Sequence, residues 1–571
     1  MTKTKTVSEV LIEVMIEAGV SNCYGIIGDT LNFVGKAIEK SKINWIHTRH
    51  EEAAAFAAGA EALITKKLTA CAGSCGPGSL HLINGLYEAN RNNAPVLAIA
   101  SQLTAASMGT AFPQEVDFLK VFQDASVYCQ IINQPDQAQR IFTQAAQAAL
   151  NKRGVAVVIL PSDISNMQVF EKPIRIWRPQ PIIRPNDQEI NLLAEAINNG
   201  QKITIFAGIG CHNAHQEVIA LAEKLKAPIV HTSRAKNYIA YDNPYQVGMT
   251  GMFGTKAGYE AIKDCDTLLL LGCGFAWPEF YPKQAKIIQV DHDATQLGLR
   301  HPIDLGLVGD IQPTLQNLLP QIKARSDSNF LNKYTALFAT IMAKYETFAG
   351  SVHDKQPIHP QQLVELIDKH ANQDALFTAD VGTPMLWGAR YLTMNGKRYF
   401  LTSLKHGTMA NSMPQAYGFQ QAFPDRQVIS LSGDGGLAML MGDLLTAKQE
   451  NLPIKIVVFN NSSLNFVEQE QKGEGLVEVY VDLKNGDFKT IAEGCGLSAQ
   501  TVSKPSELEN AVKTFLTTTG PALLNVIISP DELIMPPAIS YENVKNMVWY
   551  SSKAILAGKG KEIVELIKHN I

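Results

Sequence analysis

Asp434, set between Gly433 and Gly435, and the Asn460-Asn461 pair about two dozen residues later combine residue types and spacing that could do chemistry. A carboxylate, an amide oxygen and a backbone carbonyl, for which Ser463 is the candidate, are hard oxygen ligands suited to Mg²⁺ or Ca²⁺ and leave room for phosphate oxygens. Gly435 and Gly436 let a diphosphate approach the main chain. Each motif alone reads as an ordinary turn or loop. Their joint spacing carries the argument. Asp434 is not followed by the alternating acidic ligands of an EF-hand, and no Gly-Lys-Ser/Thr follows the glycines as in a P-loop.

The elements that must position these groups are legible around them. Residues 427–432 (QVISLS) and 454–459 (IKIVVF) read as buried strands. Between them, 437–450 is predicted as one helix with Leu437, Leu440, Met441, Leu444 and Leu445 on one face, ended by 451–453. A strand, crossover helix and parallel strand put both motifs on the carboxyl edge of a sheet, where open α/β sheets bind ligands.

At 571 residues the chain is too long for one core and suits about three domains. With 46% hydrophobic residues, 18% charged and a net charge of −4, it reads as a soluble globular protein, not a nucleic-acid binder. Eight scattered cysteines form no CxxC pair and lack zinc spacing, which suits a reduced cytoplasm. The basic MTKTKT start leads into an amphipathic helix with acidic residues, so no signal peptide is expected, and no apolar run approaches the ~20 residues of a membrane span.

From the N-terminus, helices over 7–18, 31–41 and 53–64 alternate with strands over 23–27, 45–48, 68–72, 95–100 and 155–160. Such alternation means a parallel sheet covered by helices on both faces. Glu51, by itself, is an acid that complements a helix dipole. Residues 170–185 are proline-rich and extended, a linker. A second doubly wound unit follows, with Gly208-Ile209-Gly210, Thr250, Gly251, Gly254 and Gly272 at strand ends and Asp291 and Asp310 after later strands. Glycines there can admit a pyrophosphate, and an acid at a strand end can bind a ribose or adenine edge; a structural domain without nucleotide is the alternative. The expected fold is α/β, with three doubly wound parallel-sheet domains over 1–180, 186–340 and 355–530 and a tail over 531–571.

The GDG and NN motifs resemble the thiamine diphosphate motif of thiamin-dependent decarboxylases and oxidases. RHEEAAAFAAGAEA, followed by CAGSCGPGSLHLINGLYEA, resembles the pyrimidine-binding domain of the pyruvate oxidases, and the likeness runs to the C-terminus with few gaps. It is closest in wording to the FAD-dependent, quinone-linked branch. The resemblance implies that the first domain binds the pyrimidine of thiamine diphosphate, the second FAD, and the third the diphosphate and Mg²⁺. It assigns Glu51 to the aminopyrimidine and His81 to the active site, although a satisfied helix-terminal histidine reads equally well. Met409, after Gly407 and Thr408, becomes the apolar wedge that bends the cofactor. Phe466 falls near flavin and substrate, and Arg234, in HTSRAKN, becomes a partner for the FAD diphosphate or isoalloxazine; GMTGMFG is a second flavin-like stretch. Gln114 and Glu115 align with a substrate-side Phe-Gln-Glu, but Phe112-Pro113 puts proline where the family has phenylalanine, which bears on substrate choice.

The implied reaction is oxidative decarboxylation of pyruvate to acetate and CO₂, with electrons passing through FAD to a membrane quinone. The implied assembly is a homodimer, paired again as a tetramer, in which Glu51 of one chain meets the diphosphate of another. Acetolactate synthase, phosphate- and oxygen-dependent pyruvate oxidase, and a non-catalytic binding subunit are the alternatives. Intact Glu51, Asp434 and Asn461 argue against the last. In the tail, 561–571 (KEIVELIKHNI) has Ile563, Leu566 and Ile567 on one face beside lysines. That pattern fits a helix docked on its own protein or one binding reversibly to an anionic membrane surface, so a cytoplasmic protein with peripheral contact at the inner face is expected.

Overall fold

The computed structural model describes residues 4–351 and 356–532, together with 546, 549–551, 553 and 554. A short antiparallel ribbon of β1 (Thr4–Thr6) and β8 (Gln168–Phe170) fastens the N-terminus to the end of the first unit. Thr6 then caps the helix Val7–Glu17 in a reciprocal capping box with Glu9.

The first sheet holds β2 (Asn22–Gly25), β3 (Asn44–His47), β4 (Thr69–Gly73), β5 (Val96–Gln102), β6 (Tyr128–Ile131) and β7 (Val155–Pro161), all parallel, in the order β3-β2-β4-β5-β7-β6. The third holds β15 (Leu376–Ala379), β16 (Tyr399–Thr402), β17 (Val428–Gly433), β18 (Lys455–Asn460), β19 (Ser498–Val502) and β20 (Ala522–Ile527), ordered β16-β15-β17-β18-β20-β19. Counted within each unit, the two orders are the same. Between them lies a sheet of β9 (Ile203–Ala207), β10 (Ile229–His231), β11 (Gln246–Met249), β12 (Thr267–Leu271), β13 (Lys286–Asp291) and β14 (Leu305–Val308), ordered β11-β10-β9-β12-β13-β14. That order is the one dinucleotide-binding folds use, with its switch point between β9 and β12. The chain is therefore α/β, with three parallel-sheet units.

The first and third units share a core. Helix Glu51–Thr65 crosses helix Ser412–Ala422 so closely that a Cβ on Gly418 would lie 2.1 Å from the Ala57 carbonyl oxygen. Tyr24, Ala57 and Val157 from one side and Tyr417, Phe419 and Ile456 from the other belong to one continuous buried cluster. The alanine-rich sequence of the first helix is what lets the backbones approach.

Two local expectations need correction. The helix read over 437–450 is interrupted: Asp434–Met439 is helical, Met441–Asp443 is a 3₁₀ turn, and Leu444–Gln449 resumes. Buried Asp443 accepts the Arg49 amide (2.8 Å) and the Thr446 hydroxyl (2.8 Å), and Leu440 leaves helical geometry at φ −123°, ψ 29°. Leu437, Leu440 and Leu444 still point inward, but Leu445 is 40% exposed. The Glu51 helix also starts earlier than its apolar pattern suggests, because His50 Nδ1 accepts the Glu52 amide (3.2 Å) as an N-cap.

Gly418→Ala tests the crossing. Overpacking against backbone should cost about 2–3 kcal/mol and lower the thermal midpoint. Gly494→Ala, where an added Cβ meets nothing within 4 Å, is the control and should not destabilise. An unchanged midpoint for Gly418→Ala would contradict this contact.

Candidate active site

In the third sheet Gly433 of β17 pairs with Phe459 of β18, so Asp434 and Asn461 leave adjacent strand ends at one edge. The Ser462 amide (2.7 Å) and the Asn485 side-chain amide (2.8 Å) donate to Asp434 Oδ2, and the Gly435 amide donates to Oδ1 (2.9 Å). Burial nevertheless raises the Asp434 pKa, outweighing those donors. Asn461 Oδ1 accepts the Ser463 amide (3.1 Å), and the Ser463 hydroxyl donates to Glu468 Oε2 (2.5 Å). The carboxylate, the amide oxygen and the Ser462–Ser463 loop are thus joined. Asn485, which reaches the same carboxylate, was not legible in the sequence, since Asn485-Gly486 has the form of an ordinary turn.

Gly435 and Gly436 differ in what they make room for. A Cβ on Gly435 would lie 3.1 Å from Leu464 and Leu483 and 3.3 Å from Met409 Cε, which brings Met409 to the Asp434 turn. A Cβ on Gly436 would lie 2.3 Å from Asp380 Oδ2. Its absence serves the approach of Asp380. Gly407, at φ +79° and with nothing within 4 Å of an added Cβ, leaves open space beside Thr408 and Met409.

Glu51 is buried at the first turn of its helix, and His81 Nδ1 lies 2.9 Å from its Oε2. A Cβ on Gly78 would come within 3.0 Å of Glu51 Oε1, so that glycine opens the space beside the carboxylate. His50 stacks on His81 with ring centroids 4.4 Å apart. His50, Glu51 and His81 hold ligand atoms close enough for a metal. Gln114, exposed and at φ 71°, accepts from Cys75 Sγ (3.2 Å) at the turn that leads to His81. Among the described residues no hydrogen bond or ion pair joins Glu51 to Asp434 or Asn461. Asn84 is one link between the two segments: its Nδ2 donates to Glu52 Oε1 (2.7 Å) and Thr408 Oγ1 (3.0 Å).

In the central unit, Gly208, Gly210 and Gly272 meet at the switch point. A Cβ on Gly208 would lie 2.0 Å from the Gly272 carbonyl oxygen, and one on Gly210 2.7 Å from Gly272 Cα. Close packing of the β9 and β12 turns is what excludes side chains there. Asp310 Oδ2 accepts the Ile183 amide (2.9 Å) and its amide donates to the Ile183 carbonyl (3.0 Å), which pins the linker. Other groups remain suited to a ligand. Thr250 is buried with a hydroxyl that has no partner among the described residues, and Gly251 beside it takes φ +93°. Arg234 makes no hydrogen bond to another described residue. Desolvation, then the neighbouring guanidiniums of Arg234 and Arg300, push the Lys405 ammonium down to about 8, while Asp291 opposes them. Arg234 also faces Glu88, so three cations stand beside two carboxylates, a net positive set that fits an anion such as a diphosphate. Phe253, in the loop after β11, lies 6.5 Å by ring centroid from Phe466, four residues beyond Ser462. The flavin-like loop and the metal-like loop therefore touch through two aromatic rings.

The described part of the tail packs beside the same helix, Asn465–Gly473. Asn546 donates to the Gly473 carbonyl (3.0 Å), Lys553 to that of Gly475 (2.8 Å), and Lys472 Nζ lies 5.6 Å from the buried Tyr550 ring. The amphipathic run 561–571 lies outside the described residues. No described helix is long and apolar enough to cross a membrane.

Asp380 supports the Asp434 turn from below, accepting the Ser412 (2.9 Å) and Gly433 (3.1 Å) amides, and burial pushes it up to about 7. The folded protein therefore holds this proton more tightly than the unfolded chain, and the stability it contributes is complete below about pH 4 and lost as pH rises through 7, at up to about 1.4 kcal/mol per unit. Asp380→Asn should flatten the fall in thermal midpoint of cofactor-free protein between pH 5 and pH 8. A pH dependence identical to that of the unmutated protein would remove Asp380 as its source.

Three family descriptions cover the chain in order: the N-terminal TPP binding domain of thiamine pyrophosphate enzymes matches 5–121, the central domain 190–318, and the C-terminal TPP binding domain 380–526. A Bacillus subtilis protein described as thiamine pyrophosphate-containing, YdaP, is 35% identical over 574 residues, 99% of this chain and 98% of its own. The pyruvate oxidase of Lactiplantibacillus plantarum is 30% identical over 538 residues (91% and 88%), and the acetolactate synthase large subunit of Corynebacterium glutamicum 28% over 555 (93% and 88%). With the Asp434 and Asn461 motifs on adjacent strand ends and the paired outer sheets in view, this chain belongs to the thiamine pyrophosphate enzymes, the family of thiamin-dependent decarboxylases, oxidases and carboligases.

Proposed function

We propose that this chain is a thiamine diphosphate- and FAD-dependent oxidase that converts pyruvate, water and a quinone to acetate, CO₂ and the quinol. The observation that carries the oxidase reading is the positive charge beside the central unit: Arg234, Arg300 and Lys405 outnumber the neighbouring Asp291 and Glu88, the sheet has dinucleotide-binding order, and Phe253 leads from it to Phe466 beside the metal loop. Bound thiamine diphosphate supplies a nucleophilic, electron-accepting centre for a 2-oxo acid, and bound FAD accepts two electrons.

The chain's own residues supply the rest. Asp434 and Asn461, with the Ser463 carbonyl, offer oxygen ligands to Mg²⁺, which neutralises the diphosphate. Met409, held against Gly435, would pack against bound thiamine diphosphate as an apolar support and so restrict its orientation beside Glu51. Glu51, with His81 on its other face, holds a proton at the aminopyrimidine nitrogen. Gln114 and Phe466 shape the substrate space. The same reading includes a homodimer whose partner copy completes each site, with two dimers pairing further. It also includes a tail that reaches an anionic membrane surface where the quinone is dissolved.

Purified protein should be yellow, and pyruvate added without oxygen should bleach its flavin only when thiamine diphosphate and Mg²⁺ are present; quinone should then restore the colour faster than air. Colourless, well-folded protein that ignores added FAD would overturn the oxidase reading, and faster recovery in air would favour the oxygen-dependent enzyme. Glu51→Gln should retain cofactor affinity but slow exchange of the thiazolium C2 proton by at least about 100-fold. Unchanged exchange, followed by NMR, would remove Glu51 from that role.

A further inference from the structure

One face of helix Ile83–Arg91, in the first unit, grips the loop that precedes Met409 in the third. Asn84 Oδ1 lies 2.7 Å from His406 Nε2, and its Nδ2 donates to Thr408 Oγ1 (3.0 Å). Tyr87 stacks on His406 with centroids 5.7 Å apart, and Arg91 reaches the Lys405 carbonyl (3.5 Å). One turn beyond Asn84, Glu88 is 3% exposed. Its Oε2 accepts the Ser403 hydroxyl (2.5 Å), and that hydroxyl oxygen in turn accepts the amides of Gly407 (3.1 Å) and Thr408 (3.2 Å). Its Oε1 accepts from Asn92 (2.7 Å) and Gln415 (3.4 Å).

A serine hydroxyl has one proton and can rotate. With its proton committed to a carboxylate, its lone pairs are fixed toward the two amides, and such a chain of bonds strengthens itself in a buried setting. Arg234, of the central unit, is the charged group facing this carboxylate; it favours ionisation, but burial is the larger influence and pushes Glu88 up to about 6. At neutral pH it stays an acceptor.

We propose that Glu88 is a positioning residue: through the Ser403 hydroxyl it fixes the Gly407-Thr408 backbone, and so the placement of Met409, from a helix that also touches the Glu51 segment through Asn84. The Met409 part rests on the thiamine diphosphate reading; the clamp itself does not. Three units meet at this carboxylate. The first contributes Glu88, the third Ser403 and Gln415, and the central one Arg234.

The test is amide hydrogen exchange in cofactor-free, full-length protein, followed by kinetics of the loaded enzyme. Removing either the Glu88 carboxylate or the Ser403 hydroxyl should release the Thr408 amide, while the Gly407 amide keeps the Ser403 carbonyl (3.0 Å), so Glu88→Ala and Ser403→Ala should each speed exchange at Thr408 about tenfold. Glu88→Gln, which keeps an acceptor, should restore most of the protection. The double variant should be no faster than the faster single one, because both act through one oxygen. In loaded enzyme, both Ala variants should slow C2 proton exchange about tenfold with thiamine diphosphate affinity within about threefold, a split that a general loss of packing would not give. Wild-type protection in both single variants, or multiplied effects in the double one, overturns the clamp. Should Glu88→Ala fail to fold, Ser403→Ala, which deletes one oxygen, decides. Failure of the unmutated protein to take thiamine diphosphate would overturn the proposed function, while amide exchange would still decide the clamp.

Discussion

The crossing of helices Glu51–Thr65 and Ser412–Ala422 is the constraint on which the remaining geometry depends. Two sheets of equal strand order could be joined in many ways, yet only small side chains let their helices meet with backbone against backbone. Ala53, Ala54, Ala57, Ala58 and Gly418 provide that surface, and none of them does chemistry. Once it is fixed, Ala53 and Phe56 rest on Ala410 and Leu440, Arg49 reaches Asp443, and helix Ile83–Arg91 is carried to the 403–408 loop. The active-site loops are placed by contacts between units, not by the units separately.

A second consequence concerns electrostatics. Asp380, Asp443 and Glu88 are all buried carboxyl groups with raised pKa values, pushed to about 7, 6 and 6. None offers itself as a ligand-binding group; each accepts bonds from amides or hydroxyls that hold a turn. Burying a carboxylate carries a desolvation penalty, so such groups persist where a turn must keep one conformation. Here the turns are those at Asp434, at Met441–Asp443 and at Gly407, and all three border the same edge. The functional edge is braced from behind by acids that the sequence shows only as isolated Asp and Glu.

What was legible follows from the range of the interaction. Buried parallel strands announce themselves as apolar runs, and the expected strand over 155–160 falls within β7, while others shift by one or two residues. The Asp434 and Asn461 motifs were legible because their chemistry lies in strand ends separated by one crossover. Asn485, Asp380, Asn84 and Glu88 were not, because each gains its meaning from a partner far away in sequence: Asp434, Gly436, Thr408 and Ser403. Periodicity also failed where a side chain captured the backbone, as Asp443 does in breaking the helix read over 437–450.

The glycines sharpen that distinction. Sequence reading treats Gly208, Gly210, Gly272, Gly435 and Gly436 alike, as openings for a phosphate. Space is what separates them. At Gly208, Gly210 and Gly436 the missing side chain is occupied by the protein's own Gly272 backbone or Asp380 carboxylate, whereas at Gly407 nothing lies within 4 Å and at Gly382 the nearest atom is Pro384 Cδ at 3.8 Å. A ligand entering the third unit would therefore approach along the 382 and 407 loops, flanked by Asp434 on one side and Met409 on the other. Glycine-rich turns at a strand edge thus combine two roles, close packing that fixes the loops and vacancy that receives a ligand, and only the neighbours of each missing Cβ tell them apart.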